Sequence, residues 1–264
     1  MTSRHLEFDR LPNTRDLGGM TAYGGRTIMP GRLVRSGQLF DITSSDSEKL
    51  SDLVDTVVDF RTEQEKAENP DTMVPGTRYH FIPVIDSFSS GVSREAGSDE
   101  DIIGKLVFDP EASRQYMCSM YRRFVESDFS VSQYSKFFRI LMEDHDKAVL
   151  WHCSVGKDRA GIASMLIEKI LGVPEQDILE DYLATNMYVK DELQKVTAYA
   201  HQKSGSDDPV IDRSMAYIFG TDRSYIETFF NVADSRFGSF DAFVRDGLGL
   251  SDDDVNLLRK KYLS

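Results

Sequence analysis

Cysteine, positive charge and long apolar runs are all scarce in this sequence, and each shortage excludes a class of protein. Only two cysteines, Cys118 and Cys153, occur among 264 residues, too few for a disulfide framework and suited to a reducing compartment. No apolar run approaches the ~18 residues of a membrane span. The first twenty residues mix Arg4, His5, Glu7, Asp9 and Arg10 with few apolar ones, unlike a signal peptide. The expectation is a cytoplasmic protein without membrane insertion, although export without an N-terminal signal stays open. Against 44 acidic residues stand only 31 basic ones, a net charge of −13, and that field repels nucleic acid and anionic lipid surfaces. An anionic substrate therefore has to be held by a local positive site.

What is present is ample for a packed core: 40% of residues are hydrophobic. With no internal repeat and no linker-like stretch, residues 1–264 read as a single domain. Residues 53–60, 79–84 and 148–151 are strand-like. The last of these is apolar on both faces, as a central parallel strand is. Met117, Met120, Tyr121 and Phe124 follow a helical spacing, repeated by Tyr134, Phe137, Phe138 and Leu141. Residues 160–171 are apolar almost all round, predicting a buried helix stopped by Gly172 and Pro174. From Glu175 onward the chain reads as helical, closing on a helix with Ser251 as N-cap, an acidic first turn and Arg259, Lys260 and Lys261 in its last turn. Loops are expected at residues 86–101, a candidate substrate-facing flap, and at 203–209. The pattern predicts an α/β sandwich with a parallel-type sheet.

The chemistry concentrates where the strand ending at Trp151 runs through His152-Cys153-Ser154-Val155-Gly156-Lys157-Asp158-Arg159 into the buried helix. Strand, short loop and helix N-terminus form an anion site, because backbone N–H groups converge at the positive end of the helix dipole. The same field stabilises a thiolate at Cys153. Arg159 can grip two oxygens of an oxyanion with its planar fork, which a lysine cannot do. A nucleophile, an amide cradle and a guanidinium together describe phosphoryl transfer to sulfur.

This loop resembles the signature loop of the cysteine-dependent protein tyrosine phosphatases. Its Gly-Lys-Asp-Arg core is similar to the bacterial and fungal tyrosine/serine, or triple-specificity, branch. Asn13-Thr14-Arg15-Asp16-Leu17-Gly18-Gly19 resembles that branch's N-terminal element, and Val58-Asp59-Phe60-Arg61-Thr62 its D-L-R strand end. The resemblance implies a central, mostly parallel twisted sheet flanked by helices, with a helical C-terminal half and a lid over residues 188–228. It further implies a phosphocysteine intermediate on Cys153, a phosphoryl group held by Arg159 and by the amides of Ser154, Val155, Gly156 and Lys157, a rim charge from Lys157, and neither metal nor organic cofactor. The substrates implied are phosphorylated proteins and phosphoinositides; the assembly state is left open.

Two departures from the wider family stand out. No acid-loop motif precedes Cys153, so the general acid is expected at Asp158, with Asp59 second and Asp86 third. Ala160 stands where relatives carry a hydroxyl. His152 is expected to position the loop. Asp59 and Arg61 read either as pocket residues or as a structural ion pair, Cys118 as a packing residue, and Asn13, Arg15 and Asp16 as a turn. Two alternatives carry over: a module that captures phospho-ligands without turnover, and a sulfurtransferase or arsenate reductase.

Overall fold

The protein is described by a computed structural model covering residues 4–86, 104 and 106–264. Six strands, β1 (Arg4–His5), β2 (Arg15–Asp16), β3 (Leu33–Ser36), β4 (Val54–Asp59), β5 (Arg78–Phe81) and β6 (Ala148–His152), form one sheet in the order β1-β2-β3-β6-β4-β5. β3, β6, β4 and β5 pair in parallel, while β1 and β2 add an antiparallel edge. The α/β architecture with a mostly parallel sheet is thus as expected, and β6 lies at its centre.

Burial on both faces explains the continuous apolar run of β6. Val149 and Trp151 point into the larger core with Phe137, Phe138, Ile162 and Leu166. Ala148 and Leu150 point into a smaller one with Val34, Leu50, Val54 and Val57. In β4 the two-residue alternation is reset by a register shift between Val54 and Thr56, which lets Val54 and Val57 share one face while Val58 joins the other.

Among the described residues, the helices of six or more residues are, in chain order, α1 (Ser44–Leu53), α2 (Glu63–Glu68), α3 (Pro110–Glu126), α4 (Asp128–Met142), α5 (Arg159–Leu171), α6 (Glu175–Tyr188), α7 (Lys190–Ser204), α8 (Val210–Phe219), α9 (Arg223–Phe237) and α10 (Asp252–Tyr262). As its composition required, α5 is buried along nearly its whole length, and Gly172, at φ 83°, ends it in the left-handed conformation. α10 carries the expected capping box, with Ser251 and Asp254 bonding each other's backbone. α7 and α8 break over the expected loop, and Ala200, Ile211 and Met215 form a small core of their own there with Val107.

Two expectations need correction. Arg15 and Asp16 form β2, both fully buried, between turns at Asn13 and at Gly18-Gly19, while the side-chain bonds to backbone that the turn reading expected are present, Asp16 Oδ1 accepting from the Gly18 amide at 2.8 Å. β3 carries no strand signal in the sequence, because Arg35 and Ser36 make half of its four residues polar and their burial rests on tertiary contacts. Of the proposed flap, residues 87–101 lie outside the described residues.

Candidate active site

β6 delivers Cys153 at its C-terminal end, 3% exposed, and the chain then turns through the loop into α5 at Arg159. Gly156 makes that turn possible: its φ is 75°, and a Cβ there would sit 2.5 Å from the Ser36 carbonyl oxygen. Only glycine combines that dihedral with that approach.

The loop's carbonyls are pinned away from the cradle. Ser154 O accepts from the Gln38 amide at 3.1 Å, Val155 O from Asn13 Nδ2 at 3.0 Å, Gly156 O from Arg35 Nη2 at 2.7 Å and Arg159 O from the Tyr134 hydroxyl at 3.2 Å. Among the described residues, none of the main-chain N–H groups of 154–159 donates to a backbone carbonyl. Carbonyls held outward and amides left unspent at a helix N-terminus are what an anion requires.

Arg159 is aimed by Glu65, the third residue of α2. Glu65 accepts from Nη1 at 2.5 Å and from Nη2 at 2.7 Å, and also from the Ser154 hydroxyl at 2.5 Å and the Thr62 amide at 2.8 Å. Burial pushes the Glu65 carboxyl up, but the Arg159 guanidinium and the Ser154 hydroxyl outweigh it and hold the group down at about 2. The sequence reading missed Glu65. The signal was there in Thr62-x-x-Glu65, a capping box directly after the Asp59-Phe60-Arg61 strand end.

Asp158, the first candidate acid, is at the N-cap of α5 with its side chain 22% exposed. Tyr121 donates to its Oδ1 at 2.8 Å, and Lys157 Nζ lies 3.5 Å from Oδ2. Lys157 is not at the rim as expected. It is buried and donates to the Ile218 carbonyl at 2.7 Å, joining the loop to α8.

Asp59 and Arg61, offered as substrate-binding residues, are fully buried behind the loop. Arg61 donates to Asp59 through its backbone amide, Nε and Nη2, and its Nη2 lies 2.7 Å from Asp71. The ion-pair alternative therefore describes their contacts. His152 Nε2 lies 3.1 Å from Asp71, tying the residue before Cys153 to the same cluster. Asp59, Asp71 and His152 could present ligand atoms to a metal ion, but Arg61 already supplies the cation between the two carboxylates. Asp86, the third acid candidate, ends the described segment after β5.

A second buried network lies under the loop. Asp181 of α6 accepts from Arg35 Nη1 at 3.1 Å, and Arg15 Nη1 donates to the Asp181 carbonyl at 2.7 Å. Burial and the Asp181 carboxylate push Glu168 well above the usual carboxylate range, favouring its neutral form. Asn13 and Arg35 thus hold the loop directly through the Val155 and Gly156 carbonyls, and Arg15 braces Asp181 on α6, long-range contacts that the turn reading did not anticipate.

A sequence model described as the tyrosine phosphatase family matches residues 6–264. A Cupriavidus necator protein with a provisional tyrosine-protein phosphatase name is 33% identical over 99% of this chain and 89% of its own. A tyrosine-protein phosphatase of Nostoc commune is 27% identical over 67% of this chain, which spans about half of that relative. The triple specificity protein phosphatase PtpB of Mycobacterium tuberculosis is 25% identical over 88% of this chain and 91% of its own. With the match running from the N-terminal motif to the last helix, the chain belongs to the tyrosine phosphatase family and is a phosphatase enzyme.

Proposed function

We propose that this phosphatase removes phosphate from phosphotyrosine through a phosphocysteine intermediate on Cys153. The observation that carries the reading is the set of unspent amides at 154–159, in the same loop that joins Cys153 to Arg159. In the first step the Cys153 thiolate forms an S–P bond as the ester P–O bond breaks, and Asp158 gives its proton to the departing oxygen. In the second, water forms a new P–O bond, its proton passes to Asp158, and the S–P bond breaks to return the thiolate. Arg159 and the amides of Ser154, Val155, Gly156 and Lys157 hold the non-bridging oxygens, a positioning and electrostatic task. His152, Asp59 and Arg61 support the loop from behind.

The substrate range proposed is phosphotyrosine with phosphoserine, phosphothreonine and phosphoinositides, in keeping with the triple-specificity name of the Mycobacterium tuberculosis relative. Residues 188–228 are proposed as a lid. The bond from Lys157 to Ile218 of α8 and the break at Gly205, φ 64°, support a helical pair that contacts the loop and can bend. The whole chain is proposed as one domain, working in the cytoplasm; no described helix is long and apolar enough to cross a membrane. The arsenate reductase alternative lacks support, because Cys118, the only other thiol, packs against Ser224 of α9, 3.5 Å from its Oγ.

Turnover of a small aryl phosphate by the parent and by Cys153→Ser tests the mechanism, and a phosphopeptide and phosphoinositide panel tests the range. Serine-variant activity within about tenfold of the parent overturns the thiolate mechanism.

A further inference from the structure

We propose that Tyr121, backed by Tyr182, is a positioning residue that selects which oxygen of Asp158 handles the proton. The inference rests on the reading of Asp158 as the general acid and names the device that aims it. The Tyr121 hydroxyl is buried on α3, 37 residues before Asp158, and donates to Asp158 Oδ1 at 2.8 Å. The Tyr182 hydroxyl of α6 lies 2.7 Å from that of Tyr121. Each phenol has one hydrogen to give. Tyr121 gives its own to Asp158, so the bond between the phenols runs from Tyr182 to Tyr121, and the chain has one direction.

The surrounding packing fixes that direction. Tyr121 and Tyr182 are both almost fully buried, with ring centroids 6.3 Å apart, and the Tyr225 ring lies 5.4 Å from that of Tyr121. Tyr225 gives its own hydroxyl hydrogen to the Tyr217 carbonyl at 2.9 Å and so does not compete. Burial raises both phenols well above their usual range and keeps them as donors.

The consequence is a division of labour on one carboxyl group. Oδ1 is occupied by Tyr121 and turned toward the core. Among the described residues, Oδ2 has Lys157 Nζ as its one ion-pair neighbour, at 3.5 Å, and no hydrogen-bond donor, which leaves it as the oxygen that carries the proton to a leaving group and takes one from water. Without the Tyr121 hydroxyl the carboxyl can rotate and present either oxygen, so aim is lost while the charge on the loop stays.

Tyr121→Phe, Tyr182→Phe, Asp158→Asn and the Tyr121→Phe/Asp158→Asn double variant are compared on an alkyl phosphate, whose leaving group needs a proton, and on an activated aryl phosphate, whose leaving group does not. Tyr121→Phe is expected to lower kcat on the alkyl ester about tenfold, the value of one hydrogen bond to a charged group. KM and the aryl rate should stay within about twofold, and the double variant should be no slower than Asp158→Asn alone. Tyr182→Phe, which leaves the Asp158 contact in place, should show a smaller loss of the same kind. Equal losses on both esters, or additive losses in the double variant, make the tyrosines structural and overturn the proposal. Tyr121→Phe at parent rates beside an ester-selective Asp158→Asn overturns the positioning role alone. Equal losses on both esters in Asp158→Asn remove the acid assignment and the inference with it. A thermal melt of each variant confirms that folded proteins are compared, and Tyr182→Phe carries the test if Tyr121→Phe does not fold.

Discussion

Glu65 holds the Arg159 guanidinium with both carboxylate oxygens, at 2.5 Å and 2.7 Å, and takes the Ser154 hydroxyl with one of them. The pair joins α2 to the first residue of α5, so the orientation of the guanidinium fork proposed to hold phosphate is set before any ligand arrives. Glu65→Gln keeps the shape and removes the charge. Its amide nitrogen would also face a guanidinium that has nothing to accept it. Expected are a loss of ten- to about a hundredfold in kcat/KM for an aryl phosphate, weaker vanadate inhibition, and about 3 kcal/mol of stability, the scale for breaking a buried pair from one side. Parent-like kinetics in Glu65→Gln would show that the loop aims Arg159 unaided.

The same pair has a pH signature. The Glu65 carboxyl is held at about 2 against an ordinary value of 4.5, so its folded-state value is depressed. Its stabilisation is complete above the ordinary value and is lost as pH falls toward the depressed one. The stability gap between parent and Glu65→Gln should therefore be flat at neutral pH and close between about 4.5 and about 2. Urea unfolding over a pH series measures it. A gap that closes on the alkaline side would assign the linkage to another group.

Gly156 offers a sharper structural test. A Cβ there meets the Ser36 carbonyl oxygen at 2.5 Å and the Gly37 amide nitrogen at 2.8 Å, on a residue at φ 75°. Both contacts are backbone and cannot swing aside. Gly156→Ala should cost more than the ~1–3 kcal/mol of local strain alone and should abolish turnover. At Gly238, φ 93°, nothing lies within 4 Å. Gly238→Ala should carry strain of that order only, with aryl phosphate turnover unchanged. Equal effects of the two substitutions on turnover would mean that the loop tolerates a different path between Ser154 and Asp158.

Much of the site could be read from the sequence because it is local. The loop from His152 to Arg159 is continuous, its flanking strand and helix announce themselves by apolar runs, and glycine marks the bend. What escaped is held together across the chain. Glu65 reaches Arg159 over 94 residues, Arg35 reaches Gly156 over 121 and Asn13 reaches Val155 over 142. No periodicity records such contacts. Lys157 was read as a rim charge because lysine is usually solvated, yet the end of α8 supplies a carbonyl that takes it inside. β3 hid for a related reason: Arg35 sits in a core strand only because Asp181 and the Gly156 carbonyl satisfy it.

Ala160 bears on the second chemical step. It is fully buried, and the Ser154 hydroxyl is already given to Glu65, so neither residue's side chain offers a hydroxyl hydrogen to the departing thiolate. Ala160→Ser adds one oxygen atom at that place. If breakdown of phosphocysteine limits turnover, the variant should turn over an activated aryl phosphate about tenfold faster, the worth of one hydrogen bond to a charged group. The first-turnover burst should be unchanged. No burst in the parent and no gain in the variant would place the slow step at formation of the intermediate.

On the proposed mechanism, substitutions at Cys153 and Arg159 separate binding from chemistry. Cys153→Ser removes the proposed nucleophile but leaves the amides of 154–159, Arg159 and Glu65 in place, so it should bind a phosphotyrosine peptide with near-parental affinity while turnover falls by orders of magnitude. Arg159→Lys should lose both. One ammonium cannot replace two parallel N–H donors toward an oxyanion, and it cannot satisfy both oxygens of Glu65, which the parent holds at 2.5 Å and 2.7 Å. The lysine variant should therefore also melt at a lower temperature than the serine variant. Titration calorimetry with the peptide, beside melting curves of the three proteins, checks both statements. An Arg159→Lys protein that bound the peptide like the parent would leave the amides alone as the anion site and reduce Arg159 to a partner of Glu65.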